Sequence, residues 1–237
     1  MSETGAPVST DGAFLIKRAL RLALSDALRR TRLPGSDLTL LDVGGRGRPY
    51  AGLVAECTGK PPAAIHHFVL DPGASGADVA CAAELLPVAT GAAGMVLCTQ
   101  VLEHVEDPAA AVGEMRRVLR PGGVCVLSTH GTWFYHPDPQ DYWRWTSAGL
   151  ARLFSEAGFE TVTVTPVGGT RLSLAVLALT TLDRSLSQGL AGGLVRRLLI
   201  APGNRLLWSL LKTRVTGRAS QAGELVIDYI VVGSRPQ

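Results

Sequence analysis

No uninterrupted run of eighteen apolar residues occurs in the 237-residue chain, so no membrane-spanning helix is expected. The N-terminal MSETGAPVSTDG is polar and lacks the apolar core of a secretory signal. Cysteine is sparse. Cys57, Cys81, Cys98 and Cys125 show no CxxC spacing, and two of them fall in strand-like runs. That pattern argues for buried, reduced thiols and a cytoplasmic setting rather than a disulfide frame. Histidines and acids lack a ligand spacing such as HxxxH, so no metal is expected, and His66-His67 reads as ordinary strand-edge surface. Charged residues make up only 18% and the net charge is +3, which does not suggest a nucleic-acid partner. No internal repeat or low-complexity segment stands out.

With 46% hydrophobic residues, the chain is long enough for one sizeable core with appendages. Its most informative segment is TLLDVGGRGRPY at 39–50, an apolar run ending in Asp42 and followed by three glycines within five positions. A strand breaking into such a loop lets backbone approach a ligand closely and fits an adenosine-containing cofactor. A second apolar run, HHFVLDPG, ends in Asp71, where an α/β nucleotide site holds a ribose.

Beyond residue 39 strands alternate with helices: strands at 39–43, 66–70, 77–80, 94–98, 123–128, 160–166 and 224–234, helices at 50–58, 108–119 and 147–157. This order predicts an α/β fold, a doubly wound, mostly parallel seven-stranded sheet covered on both faces. Residues 12–33 read as an amphipathic basic helix ended by Pro34 and Gly35. The core is expected at 36–170 and 224–235. Between them, 171–223 forms an apolar, basic helical insertion, interrupted at Gly189, Pro202 and Gly203. Residues 185–223 hold six basic side chains and no acid.

Four segments fall in order: LLDVGGRGRPY, FVLDPG, MVLCTQVLEHVEDPAAAVGEMRRVLRPGGVCVLS and HPDPQDYWRWTSAGLARLFSEAGFE. Together they resemble the class I S-adenosylmethionine-dependent methyltransferases, in the branch with LEHV and DYWR-T motifs (the type 11 branch), and imply their Rossmann-like fold. The resemblance implies that Asp42, Gly44 and Gly45 hold the amino-acid end of S-adenosyl-L-methionine and that Asp71 takes the ribose hydroxyls. It implies that Ala83, Glu84 and Leu85 run along the adenine and that Gln100 to His104 line the site beneath the sulfonium. Two positions depart from the family pattern: Arg46 stands where the glycine loop commonly has a third glycine, and Ala82 where an acid often meets the adenine amine.

The expected activity is methyl transfer to a small-molecule or lipid-linked acceptor, a sugar or secondary metabolite, on oxygen. A hydroxyl acceptor needs a base, for which His136 and His104 are the candidates. His104 also reads as a turn histidine, and the aromatics around Tyr142 as core anchors with Arg144 paired to an acid. The alternatives are carbon or nitrogen methylation of a lipophilic small molecule, and a non-catalytic binding protein on the same fold. The basic helix and the insertion leave open peripheral membrane contact or a homodimer.

Overall fold

The computed structural model describes residues 9–31, 33, 38–73, 76–137, 139–186, 189–211, 215 and 223–237. Its strands are β1 (Leu38–Val43), β2 (Ile65–Asp71), β3 (Val79–Ala80), β4 (Ala93–Thr99), β5 (Leu119–His130), β6 (Glu160–Val167) and β7 (Asp228–Ser234). They form one sheet in the order β3-β2-β1-β4-β5-β7-β6. All neighbours are parallel except β7, which lies antiparallel between β5 and β6. The expected doubly wound, mostly parallel seven-stranded sheet is therefore present.

The side-chain period of two along the strands sorts the core into two layers. Leu41, Val43, Val96, Cys98, Cys125 and Leu127 face one way, where they meet α3 (Pro108–Val118) through Val112 and Met115 and α4 (Ser147–Glu156) through Leu150 and Phe154. Leu38, Leu40, Met95, Leu97, Val124 and Val126 face the other way, against α1 (Phe14–Arg30) through Leu15, Ala19, Leu24 and Leu28. The remaining core helix, α2 (Ala51–Thr58), adds Leu53 and Val54 to this second layer.

Two helix starts are written in the motif residues. Asp107 accepts hydrogen bonds from the N–H groups of Ala109 and Ala110, with Pro108 in the first turn of α3. Thr146, the last residue of the DYWR-T segment, accepts from the Gly149 N–H and starts α4.

The insertion is helical, as expected: α5 (Thr170–Ser185), α6 (Leu190–Val195) and α7 (Ala201–Leu211). Gly189 separates α5 from α6, but Pro202 and Gly203 interrupt nothing. A π-helical stretch, Arg196–Ile200, joins α6 to α7 directly. The wider turn offsets the hydrogen-bond ladder just before Pro202, where the missing N–H would otherwise break it. Most of residues 212–222, and Pro34 and Gly35, lie outside the described residues. The insertion stacks on α1: Asn204 donates to the carbonyls of Ser9 and Asp11, and the Gly12 N–H donates to Asp183.

Candidate functional site

The site lies where the strand order turns back, between β1 and β4, at the C-terminal strand ends. A cavity of about 700 Å³ opens there, lined by Gly44, Asp71, Ala83, Glu84, Gln100 and His104 among others. A second groove of about 520 Å³ runs along α1, β6 and β7 past Gly122 and Gln237, away from these strand ends and without their acids.

The glycine loop is built for close approach. Gly44 has φ +77°, its N–H donates to the Leu70 carbonyl at 2.7 Å, and a Cβ there would collide with Val101. A Cβ on Gly45 would enter the Asp42 carboxylate. Asp42 itself is fully buried beneath the loop, 3.0 Å from His67 Nε2, and is absent from the cavity lining. Its observed contacts thus support the loop from below. His67, expected as plain surface, is its partner.

Asp71 sits at the cavity wall with its side chain 6% exposed, accepting from the Gly73 N–H at 2.7 Å. The departure at Arg46 has a visible consequence: Arg46 Nε lies 2.9 Å from Asp71 Oδ1. Glu84 accepts from the Glu106 N–H at 3.0 Å. Leu85 is 76% exposed and lines no part of the cavity, because Glu114 pins the Leu86 N–H and Leu86 takes the core position instead.

Gln100 is one of few non-glycine residues at positive φ, 56°, a conformation held by its N–H donating to the Ser128 carbonyl. Its side-chain Nε2 donates to Ser128 Oγ and Asp228, leaving Oε1 without a partner.

Of the two histidines, His104 lines the cavity and His136 does not. His104 Nδ1 lies 2.9 Å from the Gln140 carbonyl oxygen, which fixes Nδ1 as the protonated nitrogen and leaves the lone pair on Nε2. The His136 ring packs edge-on to His104 at 5.0 Å and to His130 at 5.5 Å.

Beside these histidines Trp133, Phe134, Asp141 and Arg144 form a clip. Arg144 donates to both Asp141 oxygens at 2.6 Å and to the Trp133 and Phe134 carbonyls. That fork holds the Asp141 carboxyl down at about 2. Trp143 donates from Nε1 to the Val105 carbonyl, so part of this aromatic cluster is anchoring, and Tyr135 is exposed.

Behind His104 lies a group that chain spacing does not reveal. Glu103 and Asp228 are fully buried, and burial raises both carboxyls above their ordinary range. His130 approaches both, with Nε2 3.4 Å from Glu103 Oε1 and Nδ1 3.9 Å from Asp228 Oδ2. Burial brings its imidazole down to about 3, so it is neutral. The one signal in sequence was an acid inside the apolar run VIDYIVV. Glu103 and the nearby pair His130 and His136 come from two segments, and one ligand atom of each of the three lies within 4.8 Å of the others.

Comparison with known proteins agrees with this architecture. Residues 64–127 match the family model described as a methyltransferase domain. The chain carries the class I methyltransferase fold. Among curated relatives, the ubiquinone biosynthesis O-methyltransferase of Psychrobacter arcticus is 35% identical over 107 residues, 45% of this chain. The chain spans about a third of that relative's length, 36%. Haemonchus contortus phosphoethanolamine N-methyltransferase 2, solved with S-adenosyl-L-methionine, superposes with TM-score 0.58 at 14% identity, covering 97% of this chain and 58% of that one. The [4+2]-cyclase SpnF superposes with TM-score 0.54 at 16% identity, covering 98% and 97%. The class I methyltransferase fold therefore also appears in a [4+2]-cyclase, and activity must be argued from the site.

Proposed function

We propose that the protein moves a methyl group from S-adenosyl-L-methionine to a hydroxyl oxygen of a small-molecule or lipid-linked acceptor, a sugar or secondary metabolite. One observation carries the reading: Asp71, nearly buried at the end of β2, stands in the cavity beside a glycine loop that leaves no room for a Cβ. A buried carboxylate suits two ribose hydroxyls, and the lack of side chains at Gly44 and Gly45 suits close approach of the cofactor's amino-acid end to the backbone. Gln100 Oε1, a buried acceptor without a partner, fits a donor such as the cofactor's ammonium. Bound S-adenosylmethionine would supply a methyl group already activated on sulfonium.

The chain's own contribution is then alignment and proton removal. His104, in the cavity wall with its Nε2 lone pair free to accept, is the base we assign; His136 supports it from behind through the ring contact. Carbon or nitrogen methylation would leave His104 idle. The described residues of the insertion do not line the cavity, so they do not roof it. Arg184 stacks over Phe134 at 4.5 Å and ties the insertion to the acceptor-side loop. The insertion's outward leucines and arginines support peripheral contact with an anionic membrane that carries the acceptor.

One observation favours a second reading, a binding protein without catalysis: the Arg46–Asp71 pair closes the ribose position. Isothermal titration with S-adenosylmethionine and S-adenosylhomocysteine separates the two. Micromolar binding that disappears in Asp71→Ala supports the enzyme; no heat with either ligand removes it.

A further inference from the structure

Glu103 and Asp228 are buried carboxylates, and neither has a lysine or arginine ion pair among the described residues. A buried carboxylate is retained at low cost only when hydrogen-bonded, paired or bound to a metal. Asp228 takes the first course, accepting from Gln100 Nε2 and the Tyr229 N–H. Glu103 takes it by half: Oε2 accepts from Thr129 Oγ1 at 2.9 Å, while Oε1 has no partner.

A further polar atom of this group is also buried and unpartnered, His136 Nε2, and His130 turns its Nε2 toward Oε1 at 3.4 Å. The neighbouring acid cannot satisfy His136, because Asp141 Oδ2 is 4.0 Å from Nε2 and both Asp141 oxygens are taken by Arg144. Hydrogen bonding therefore leaves Glu103 Oε1 and His136 Nε2 unsatisfied, and one ligand atom of Glu103, His130 and His136 each lies within 4.8 Å of the others. A cation held also by His130 Nε2 satisfies both.

We propose that Glu103, His130 and His136 bind one divalent transition-metal ion of the zinc class. Two imidazoles and one carboxylate are the donor set that such borderline ions take, whereas calcium and magnesium favour shells of oxygen. Ligand atoms bonded at about 2.0–2.2 Å stand roughly 3.4 Å apart around a tetrahedral ion. His130 Nε2 and Glu103 Oε1 already lie 3.4 Å apart, and the grouping as a whole needs only a modest closing from within 4.8 Å. His136 keeps 26% of its side chain exposed, so the ion would enter from that side and retain an open position toward the His104 wall of the cavity. An oxygen ligand, water or an acceptor hydroxyl, would fill it. The site requires nothing of the methyl-transfer reading.

The test is titration of tag-free protein, stripped with chelator and confirmed folded, with Co²⁺ followed by visible absorption. We expect saturable uptake of one equivalent with ligand-field bands, displaced by Zn²⁺. His136→Ala and the isosteric Glu103→Gln should each weaken uptake by at least about tenfold, as loss of metal-site partners commonly does. His66→Ala, at an exposed position, should leave it unchanged. Absence of saturable uptake by the folded protein overturns the site, and so does uptake that is the same in His136→Ala as in wild type. S-adenosylmethionine titration reports separately on the methyl-transfer reading, so the two can fail independently.

Discussion

Arg46 and the cofactor would compete for one carboxylate. The guanidinium is half exposed and reaches over Gly73 to Asp71, a pairing of the kind worth about 0.2–1 kcal/mol at a surface. Removing it in Arg46→Gly should raise S-adenosylmethionine affinity by about 1.5- to 5-fold, the same range expressed as a binding ratio, with little change in melting temperature. Calorimetry decides: weaker binding in the variant would mean that Arg46 helps to hold the ligand. Asp71→Ala should cost about 10- to 150-fold, the equivalent of a hydrogen bond to a charged group of about 1.5–3 kcal/mol. His104→Ala should lower kcat by about 10² to 10⁴ if its Nε2 takes the proton, with a smaller effect on cofactor affinity. A normal kcat would move the reaction to carbon or nitrogen. Asp71 and the glycines were legible because strand ends and φ-permissive loops leave marks in sequence. Asp42 was legible as a residue but not in its contacts, since burial beneath Gly45 and pairing with His67 depend on the register of β1 against β2.

At the scale of elements, α3 holds the loop around Leu86 and Val88. Arg117 donates to the carbonyls of Leu86 and Val88, and Glu114 accepts from Arg117 and from the Leu86 N–H. The Arg117 hydrogen bond chiefly holds the Glu114 carboxyl below its ordinary 4.5. A carboxyl lowered on folding adds stability above its unfolded value and loses it as pH falls through the folded one. Glu114→Gln should therefore be less stable than wild type near pH 7, by about 1 kcal/mol for a hydrogen bond of this kind. The gap should close as pH drops below about 4.5, which urea midpoints across that range would reveal; a gap that persists in acid would mean that shape, not charge, holds the loop. This loop also explains where sequence reading stopped. Periodicity located β1 to β7 within a few residues, yet it could not tell that Leu86 enters the core while Leu85 faces solvent. That choice is made by a side chain 28 residues away in α3. The grouping of Glu103 with His130 and His136 was equally hidden, because Glu103 meets the two histidines only once β5 passes β4 and the following loop folds back. The π turn before Pro202 was missed because a proline normally ends a helix, unless the ladder is already offset.

Across the whole molecule, the insertion shows two faces. Ile200, Asn204 and Trp208, four residues apart, turn inward, and Trp208 receives Arg18 of α1 over its ring at 4.9 Å. Leu194, Leu198, Leu199, Leu206 and Leu210 turn outward, each more than half exposed, beside Arg197 and Arg205. No described helix is long and apolar enough to cross a membrane, so these leucines have no route to a spanning role. An apolar face with basic residues beside it suits shallow contact with anionic lipid, and a grouped leucine surface also suits a second copy of the chain. The two uses differ in their response to salt and lipid. Membrane contact predicts sedimentation with phosphatidylglycerol vesicles at low ionic strength and much less at 1 M salt, where the Debye length falls to about 3 Å. Neutral vesicles should bind weakly at either strength. Leu198→Ser with Leu206→Ser should remove vesicle binding while cofactor titration stays unchanged, since neither leucine lines the cavity. If the same pair instead converts a dimer to a monomer in analytical ultracentrifugation and leaves vesicle binding intact, the leucine face joins two copies of the chain. On the proposed function, the acceptor would then come from solution rather than from a bilayer.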